Sequence, residues 1–252
     1  MNGRIKRIRV FAGPNGSGKS TLYNYLTQIS AFHSYYHINP DQIAKDLSVS
    51  LNLDNWPIDF SNNELVRFLK TSPFQSLVNF NMSDPLIYQK HRISLKDPSF
   101  SNNTYLAAAI ANFLRIKMLK ADSSFSFESV FSHVSKIHEL KSAKKAHFKI
   151  YLYFITTSDP LINLQRVKNR VENGGHDVPD DKIHARYFKT MRNLYDAFKL
   201  ADRAYFFDNS REKINGSFEF FAEKNGNQLY LSDPDSVPQW FDKYILEPLI
   251  NE

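Results

Sequence analysis

The sequence predicts an α/β fold: a central parallel sheet flanked by helices, with a helical insertion and a small C-terminal β-hairpin. Three observations carry this. Strand-like apolar runs at 5–12, 124–128, 148–156 and 203–208 alternate with segments of helical periodicity, the signature of a parallel sheet with helical crossovers. A glycine-rich loop stands between the first strand and the first helix. Residues 217–231 read as two strands around an Asn225–Gly226 turn.

In order along the chain, residues 5–12 (IKRIRVFA) form a strand that runs straight into GPNGSGKS, and 19–29 form the first helix. His37-Ile38-Asn39 ends a second short strand. Pro40 disfavours helix at the residue before it and suits the first turn of one, so a helix starts after Asn39. Residues 48–103 are rich in Asn, Ser, Asp, Pro and Phe and carry no motif; short helices are expected at 61–70 and 84–93. This stretch reads as an insertion in a single domain spanning 1–252, covering the site or shaping an acceptor pocket. Thr104 is a candidate N-cap for a helix whose Leu106, Ile110, Phe113, Leu114 and Met118 recur at helical spacing. Residues 124–128 form a strand ending in Glu128, and 133–146 a helix with Val134, Ile137 and Leu140 on one face. Residues 148–156 (FKIYLYFIT) are a central strand, and Gly174-Gly175 stops the helix over 159–172. Asp180 or Asp181 caps the next helix, whose apolar face is Ile183, Tyr187, Met191, Leu194 and Phe198. RAYFFD is a strand, and a last helix covers 237–247.

Composition excludes several classes. The 252 residues are 42% hydrophobic and 23% charged, as in an ordinary globular chain. The absence of cysteine rules out disulfide frameworks, thiolate metal sites and cysteine nucleophiles. The apolar run after the basic N-terminus is only Val10-Phe11-Ala12, too short for a signal-peptide core, and no run reaches membrane-spanning length. A soluble cytoplasmic protein is expected. The net charge of +6 is spread over scattered basic residues, which argues against a nucleic-acid-binding face.

Gly13, Gly18, Lys19 and Ser20 satisfy G-x-x-x-x-G-K-[ST], with a strand before and a helix after, which is the context that gives this motif its meaning. Such a loop turns backbone N–H groups onto an anion at a helix N-terminus. Gly13, Pro14, Asn15, Gly16, Ser17, Gly18, Lys19, Ser20 and Thr21 are therefore the expected ATP-binding residues. Lys19 reaches the β- and γ-phosphates and Ser20 ligates Mg2+. The chain is thus read as a P-loop NTPase.

The loop alone does not say what happens to the phosphate. There is no Asn-Lys-x-Asp element for guanine and no Leu-Ser-Gly-Gly signature of transport ATPases. A small kinase needs a carboxylate near the γ-phosphate and arginines from a lid. Asp41 follows the second strand at the sheet end where ligands collect; it can deprotonate an acceptor hydroxyl, cap its helix, or both. Glu128 at a neighbouring strand end can contact acceptor hydroxyls or help hold Mg2+. Asp208 could serve the metal but better suits an Asp208-Asn209-Ser210 turn. The helix break at Gly174-Gly175-His176 with Pro179 beyond it makes a hinged flap flanked by Arg170 and Arg186, with Arg166 a further candidate. His176 can contact phosphate or cap the turn. The other reading is an ATP-driven switch that uses the insertion to bind a partner and has no phosphate acceptor.

GPNGSGKST, INPDQIA, FESVFS, RVKNRVENGGHDVPDDKIHARY and FFDNS, in this order, resemble the zeta-toxin-type P-loop kinases, and the compact chromosomal members more than the plasmid toxins. The resemblance covers roughly 5–47 and 122–212, and its most specific part is GGHDVP with its flanking arginines. It implies a kinase-like P-loop fold, ATP and Mg2+ as cofactors, and transfer to a hydroxyl of a small acceptor, in well-known members the amino sugar of UDP-N-acetylglucosamine. Carried over by position, Lys19 is the phosphate lysine, Asp41 the catalytic base, Glu128 a substrate contact, and Arg170 and Arg186 the arginine pair. It also implies an antitoxin-like inhibitor protein as a partner. Ser129-Val130 stand where the family often has Thr-Thr, and 48–121 has no counterpart.

Overall fold

The computed structural model describes residues 5–33, 35–71, 85–175, 177–211 and 218–252. In chain order its elements are β1 (Arg7–Ala12), α1 (Lys19–Gln28), β2 (His37–Ile38), α2 (Pro40–Asp46), β3 (Leu51–Asn52), α3 (Asn62–Thr71), β4 (Leu86–Gln89), β5 (Arg92–Leu95) and α4 (Thr104–Lys120). There follow β6 (Phe125–Ser129), α5 (Ser135–Lys145), β7 (Lys149–Thr156), α6 (Pro160–Glu172), α7 (Asp180–Leu200), β8 (Arg203–Asp208), β9 (Glu219–Asn225), β10 (Gln228–Leu231) and a last helical stretch, 239–250. They fall into two compact units, one of Met1–Ser34 with Ser126–Glu252, the other of Tyr35–Phe125.

The sheet of the first unit runs β10-β9-β8-β7-β1-β6. β1 pairs with β7 and β7 with β8 in parallel, while β8–β9 and β9–β10 are antiparallel. The parallel strands are apolar on both faces because both are covered, which is why FKIYLYFIT reads as a near-continuous hydrophobic run. On one face Phe11, Tyr153 and Tyr205 occupy one register row across β1, β7 and β8. Their rings stack at centroid distances of 4.7 and 4.9 Å, with Leu22 and Leu26 of α1 closing over them. On the other face Phe154 meets Trp240 and Phe206, and Phe206 also meets Phe198 of α7 and Phe241. The C-terminal helix is α-helical at its ends but wound as π-helix over Asp242–Leu246.

Two charges, Lys224 buried and Asp202 half-buried, tie the crossovers down. Lys224 of β9 donates to the carbonyls of Phe198 (2.5 Å) and Ala201 (2.9 Å) at the C-terminal end of α7, where helix carbonyls run short of donors. Burial lowers its ammonium pKa. Asp202 accepts from Lys144 at 2.7 Å, Lys149 at 3.0 Å and the Ile150 N–H at 2.9 Å. Burial works against its ionisation, but these donors outweigh it and hold the carboxyl below its ordinary value.

The second unit is built on α4, which buries Leu106, Ile110, Phe113, Leu114 and Met118 as its spacing predicted. Its N-cap is Asn103 rather than Thr104: the Asn103 side chain accepts from the Leu106 N–H at 2.9 Å, and Thr104 is the first helical residue. Phe60 stacks on Tyr88 at 3.9 Å and meets Phe113 edge-on, and Lys117 pairs with Glu64 at 3.2 Å. The expected helix at 84–93 is instead the hairpin of β4 and β5, joined to β3 in an antiparallel sheet ordered β3-β5-β4. Gln89 pairs with Arg92 around a two-residue turn in which Lys90 and His91 have φ of 50° and 57°.

Two further boundaries differ from expectation. Pro179 occupies the N-cap of α7 without a side-chain cap, and Asp180 and Asp181 lie within its first turn, where carboxylates favour the helix dipole. The C-terminal hairpin turns on Gly226 and the residue after it, since Asn225 still pairs with Gln228. No described helix is long and apolar enough to cross a membrane.

Candidate active site

β1 carries the chain into the glycine loop at the middle of the sheet, between β6 and β7. Gly18, at φ 100°, is the N-cap of α1 and brings no capping side chain, and no acid lies in the first turn. The first N–H groups of α1 are thereby left to an anion. Neither Gly16 nor Gly18 gives its N–H to a partner among the described residues. The Asn15 Oδ1 and Ser17 Oγ atoms are buried and likewise unpartnered among them. Buried polar groups in this state are what a bound polar ligand satisfies. Lys19 lies back along the loop, its Nζ 2.7 Å from the Pro14 carbonyl.

The loop is held from outside by two asparagines. Asn163 of α6, fully buried, donates from Nδ2 to the Asn15 carbonyl at 2.6 Å and accepts at Oδ1 from the Thr157 hydroxyl. Tyr187 of α7 donates to the Thr157 carbonyl at 2.7 Å; burial pushes its phenol up to about 12, so it stays a donor across the physiological range. Asn209, just past β8, donates from Nδ2 to the Ser17 carbonyl at 2.9 Å, while its own N–H bonds the Thr156 carbonyl. These contacts explain why the glycines are needed. A Cβ at Gly16 would lie 2.5 Å from the Asn163 carbonyl oxygen, and one at Gly18 2.7 Å from Asn209 Nδ2.

Ser20, the second residue of α1, donates to Glu128 Oε2 at 2.8 Å. Glu128 sits on β6 with 6% of its surface exposed. Burial, and beyond it the nearby Glu128 charge, raises the Tyr23 hydroxyl pKa, against hydrogen bonds from Thr27 and Ser126. A hydroxyl and a carboxylate at the foot of a phosphate loop are hard oxygen donors suited to Mg2+, which typically takes one or two carboxylates and completes its shell with phosphate and water. Among the described residues no group of three or more His, Asp or Glu could hold a metal without such help. Thr21 follows on the exposed side of α1.

Asp208 is occupied elsewhere, accepting from the Ser210 N–H at one oxygen and from Trp240 Nε1 at 2.7 Å at the other. Asp41 belongs to the second unit. It is exposed in the first turn of α2, and the capping is done by Asn39, whose Oδ1 accepts from the Asp41 and Gln42 N–H groups. On α6, Arg166 and Arg170 follow Asn163 by three and seven residues, so they share its stripe. Arg166 Nη1 is buried without a partner among the described residues. Arg186 adjoins Tyr187 on α7. Gly174 and Gly175 end α6 in a Schellman turn, their N–H groups bonding the Val171 and Arg170 carbonyls at 2.9 and 2.8 Å. His176 lies outside the described residues.

The structure aligns over 96% of this chain with 64% of a chain from the AvrRxo1-ORF1:AvrRxo1-ORF2 complex with sulphate ions, at a TM-score of 0.54 and 15% identity. The same complex with ATP aligns over the same extents at 0.52 and 13%. The fold is shared with the AvrRxo1 chain of these complexes. A chain of the PezAT chromosomal toxin–antitoxin system of Streptococcus pneumoniae aligns over 98% of this chain, but its TM-score of 0.47 adds nothing to that assignment. In sequence, an uncharacterized protein of Haemophilus influenzae is 38% identical over 69 residues, which is 27% of this chain and 49% of that protein. This chain therefore spans about half the length of its curated relative and under two thirds of the AvrRxo1 chain. No protein-family profile matches it.

Proposed function

We propose that the protein is an ATP- and Mg2+-dependent phosphotransferase of the zeta-toxin type that moves the γ-phosphate to a hydroxyl of a small acceptor. The hydrogen bond between Ser20 and Glu128 at the foot of the glycine loop carries this reading, because it joins a hydroxyl and a buried carboxylate, an oxygen pair suited to a nucleotide-bound metal. The fold shared with the AvrRxo1 chain, one of whose complexes holds ATP, supports it. The acceptor class that the resemblance implies is a UDP-N-acetyl amino sugar.

In this reading the loop N–H groups and Lys19 hold the β- and γ-phosphates. Mg2+, when bound, would supply positive charge against that developing on the phosphates, and Ser20 and Glu128 would hold it. Asp41 takes the proton of the acceptor hydroxyl as the new oxygen–phosphorus bond forms, and the bond to the β-phosphate oxygen breaks to release ADP. Arg170 and Arg186, with Arg166 beside them on α6, spread the charge of the transferring phosphoryl group. His176 and Glu128 stand as candidate acceptor contacts. Such transfer is positioning plus electrostatics, with no covalent intermediate on the protein. The working compartment is the cytoplasm, and an inhibitor protein of the antitoxin kind is the expected partner. The test is Asp41→Asn: turnover falls while ATP affinity holds, and a variant that transfers phosphate at the wild-type rate removes Asp41 from the role of base.

A further inference from the structure

We propose that Asn163 and Asn209 are positioning residues for phosphate binding, two side-chain amides that aim the loop's N–H groups by anchoring its carbonyls. This rests on the reading of the loop as an ATP site and adds to it which residues outside the motif make the loop competent.

The argument starts from the peptide plane. In a trans peptide the C=O of one residue and the N–H of the next point in opposite directions. The Asn15 carbonyl is drawn outward by Asn163 Nδ2 at 2.6 Å, so the Gly16 N–H of the same peptide points away from α6. The Ser17 carbonyl is drawn outward by Asn209 Nδ2 at 2.9 Å, so the Gly18 N–H points away from the end of β8. These two N–H groups are without partners among the described residues, and their glycines have φ of 73° and 100°. A loop of glycines has many conformations open to it, and ordering it at the moment of binding costs affinity. Two fixed donors remove that freedom beforehand.

Both anchors are themselves braced. Asn163 is a poor helix former placed inside α6 and wholly buried, where an aliphatic residue would pack without needing a partner. Its Oδ1 takes the Thr157 hydroxyl and its Nδ2 the loop, so both ends of the amide are used. Thr157 is in turn held at its carbonyl by Tyr187. Asn209 is fixed by its own N–H on Thr156 and by the close approach of Gly18 to its side chain. The two anchors come from different elements and grip alternate peptides of the loop.

The experiment titrates Asn209→Ala, Asn163→Ala and wild type with adenosine, ADP, ATP and inorganic tripolyphosphate by calorimetry, with thermal melts of each free protein. Loss of one neutral hydrogen bond predicts about three- to tenfold weaker ATP and tripolyphosphate binding for each variant, with adenosine binding unchanged. In steady state the KM for ATP rises while that for the acceptor holds. Asn209 is only partly buried, so Asn209→Ala keeps the test open if Asn163→Ala fails to fold. If wild type binds ATP and tripolyphosphate and Asn209→Ala binds them equally well, the positioning role is wrong. If Asn209→Ala weakens adenosine by the same factor, the effect is structural and the role is likewise wrong. If wild type binds neither phosphate ligand, the reading of the loop as an ATP site is what fails.

Discussion

Replacing Gly16 with alanine tests the loop geometry against its neighbours. Gly16 and Gly226 both have left-handed φ, 73° and 59°, so alanine at either costs about 1–2 kcal/mol of backbone strain. They differ in what a Cβ meets. At Gly226 nothing lies within 4 Å, whereas at Gly16 the Asn163 carbonyl oxygen would lie at 2.5 Å, with its carbon and Cα at 3.2 Å. Those atoms are backbone inside α6 and cannot swing aside, so the loop must lift off the helix and give up the Asn163–Asn15 bond. Strain plus the lost contact come to about 2–4 kcal/mol, which is on the order of a hundredfold in ATP affinity if the loop alone absorbs it. Calorimetric titration with ATP, paired with a thermal melt, separates the two sites. Gly226→Ala should melt a few degrees lower with ATP affinity unchanged. Gly16→Ala should lose affinity at about that scale. Wild-type affinity in Gly16→Ala, or an equal loss in Gly226→Ala, would refute the reasoning.

The remaining predictions concern charge and metal. Glu128→Gln should weaken ATP binding in the presence of Mg2+ and leave metal-free ATP binding unchanged; an equal loss in both conditions would count against a metal role. Asp202 has a folded pKa below its ordinary 3.8, so its stabilisation is complete above that value and is lost as pH falls through the lower folded pKa. Asp202→Asn should therefore have a lower urea midpoint than wild type at pH 7, and the gap should close in strong acid. Lys224→Met removes the donor to the Phe198 and Ala201 carbonyls and should cost about 1–3 kcal/mol, read as a lower thermal midpoint.

Much of the first unit was legible because its signals are local. The β1–loop–α1 unit follows from a spaced motif with the right flanks, and β7 and β8 from apolar runs. The face of α7 was read residue by residue from its period, and Ile183, Tyr187, Met191, Leu194 and Phe198 are all buried. The hairpin of β4 and β5 was not legible, since its turn holds Lys90 and His91 at positive φ without the glycine or asparagine that usually announces such a turn. The cap at Asn103 was missed for Thr104 because both types cap and only geometry separates adjacent candidates. At the site, Lys19, Ser20 and Glu128 were named from sequence, and the structure joins the last two. Asn163, Thr157 and Asn209 were missed because their roles exist only once α6 and the ends of β7 and β8 reach the loop. One signal was present for Asn163, an amide on the apolar stripe of a helix beside Val167.

The central claim is transfer to an acceptor, and it is tested most directly with γ-labelled ATP offered with a panel of nucleotide sugars, nucleosides and small metabolites. Wild type should label an acceptor in the panel, UDP-N-acetylglucosamine foremost, only with Mg2+ present, and Lys19→Ala should label none. Release of inorganic phosphate alone by the wild type, with every acceptor unlabelled, would contradict a phosphotransferase and leave an ATP-driven switch in its place.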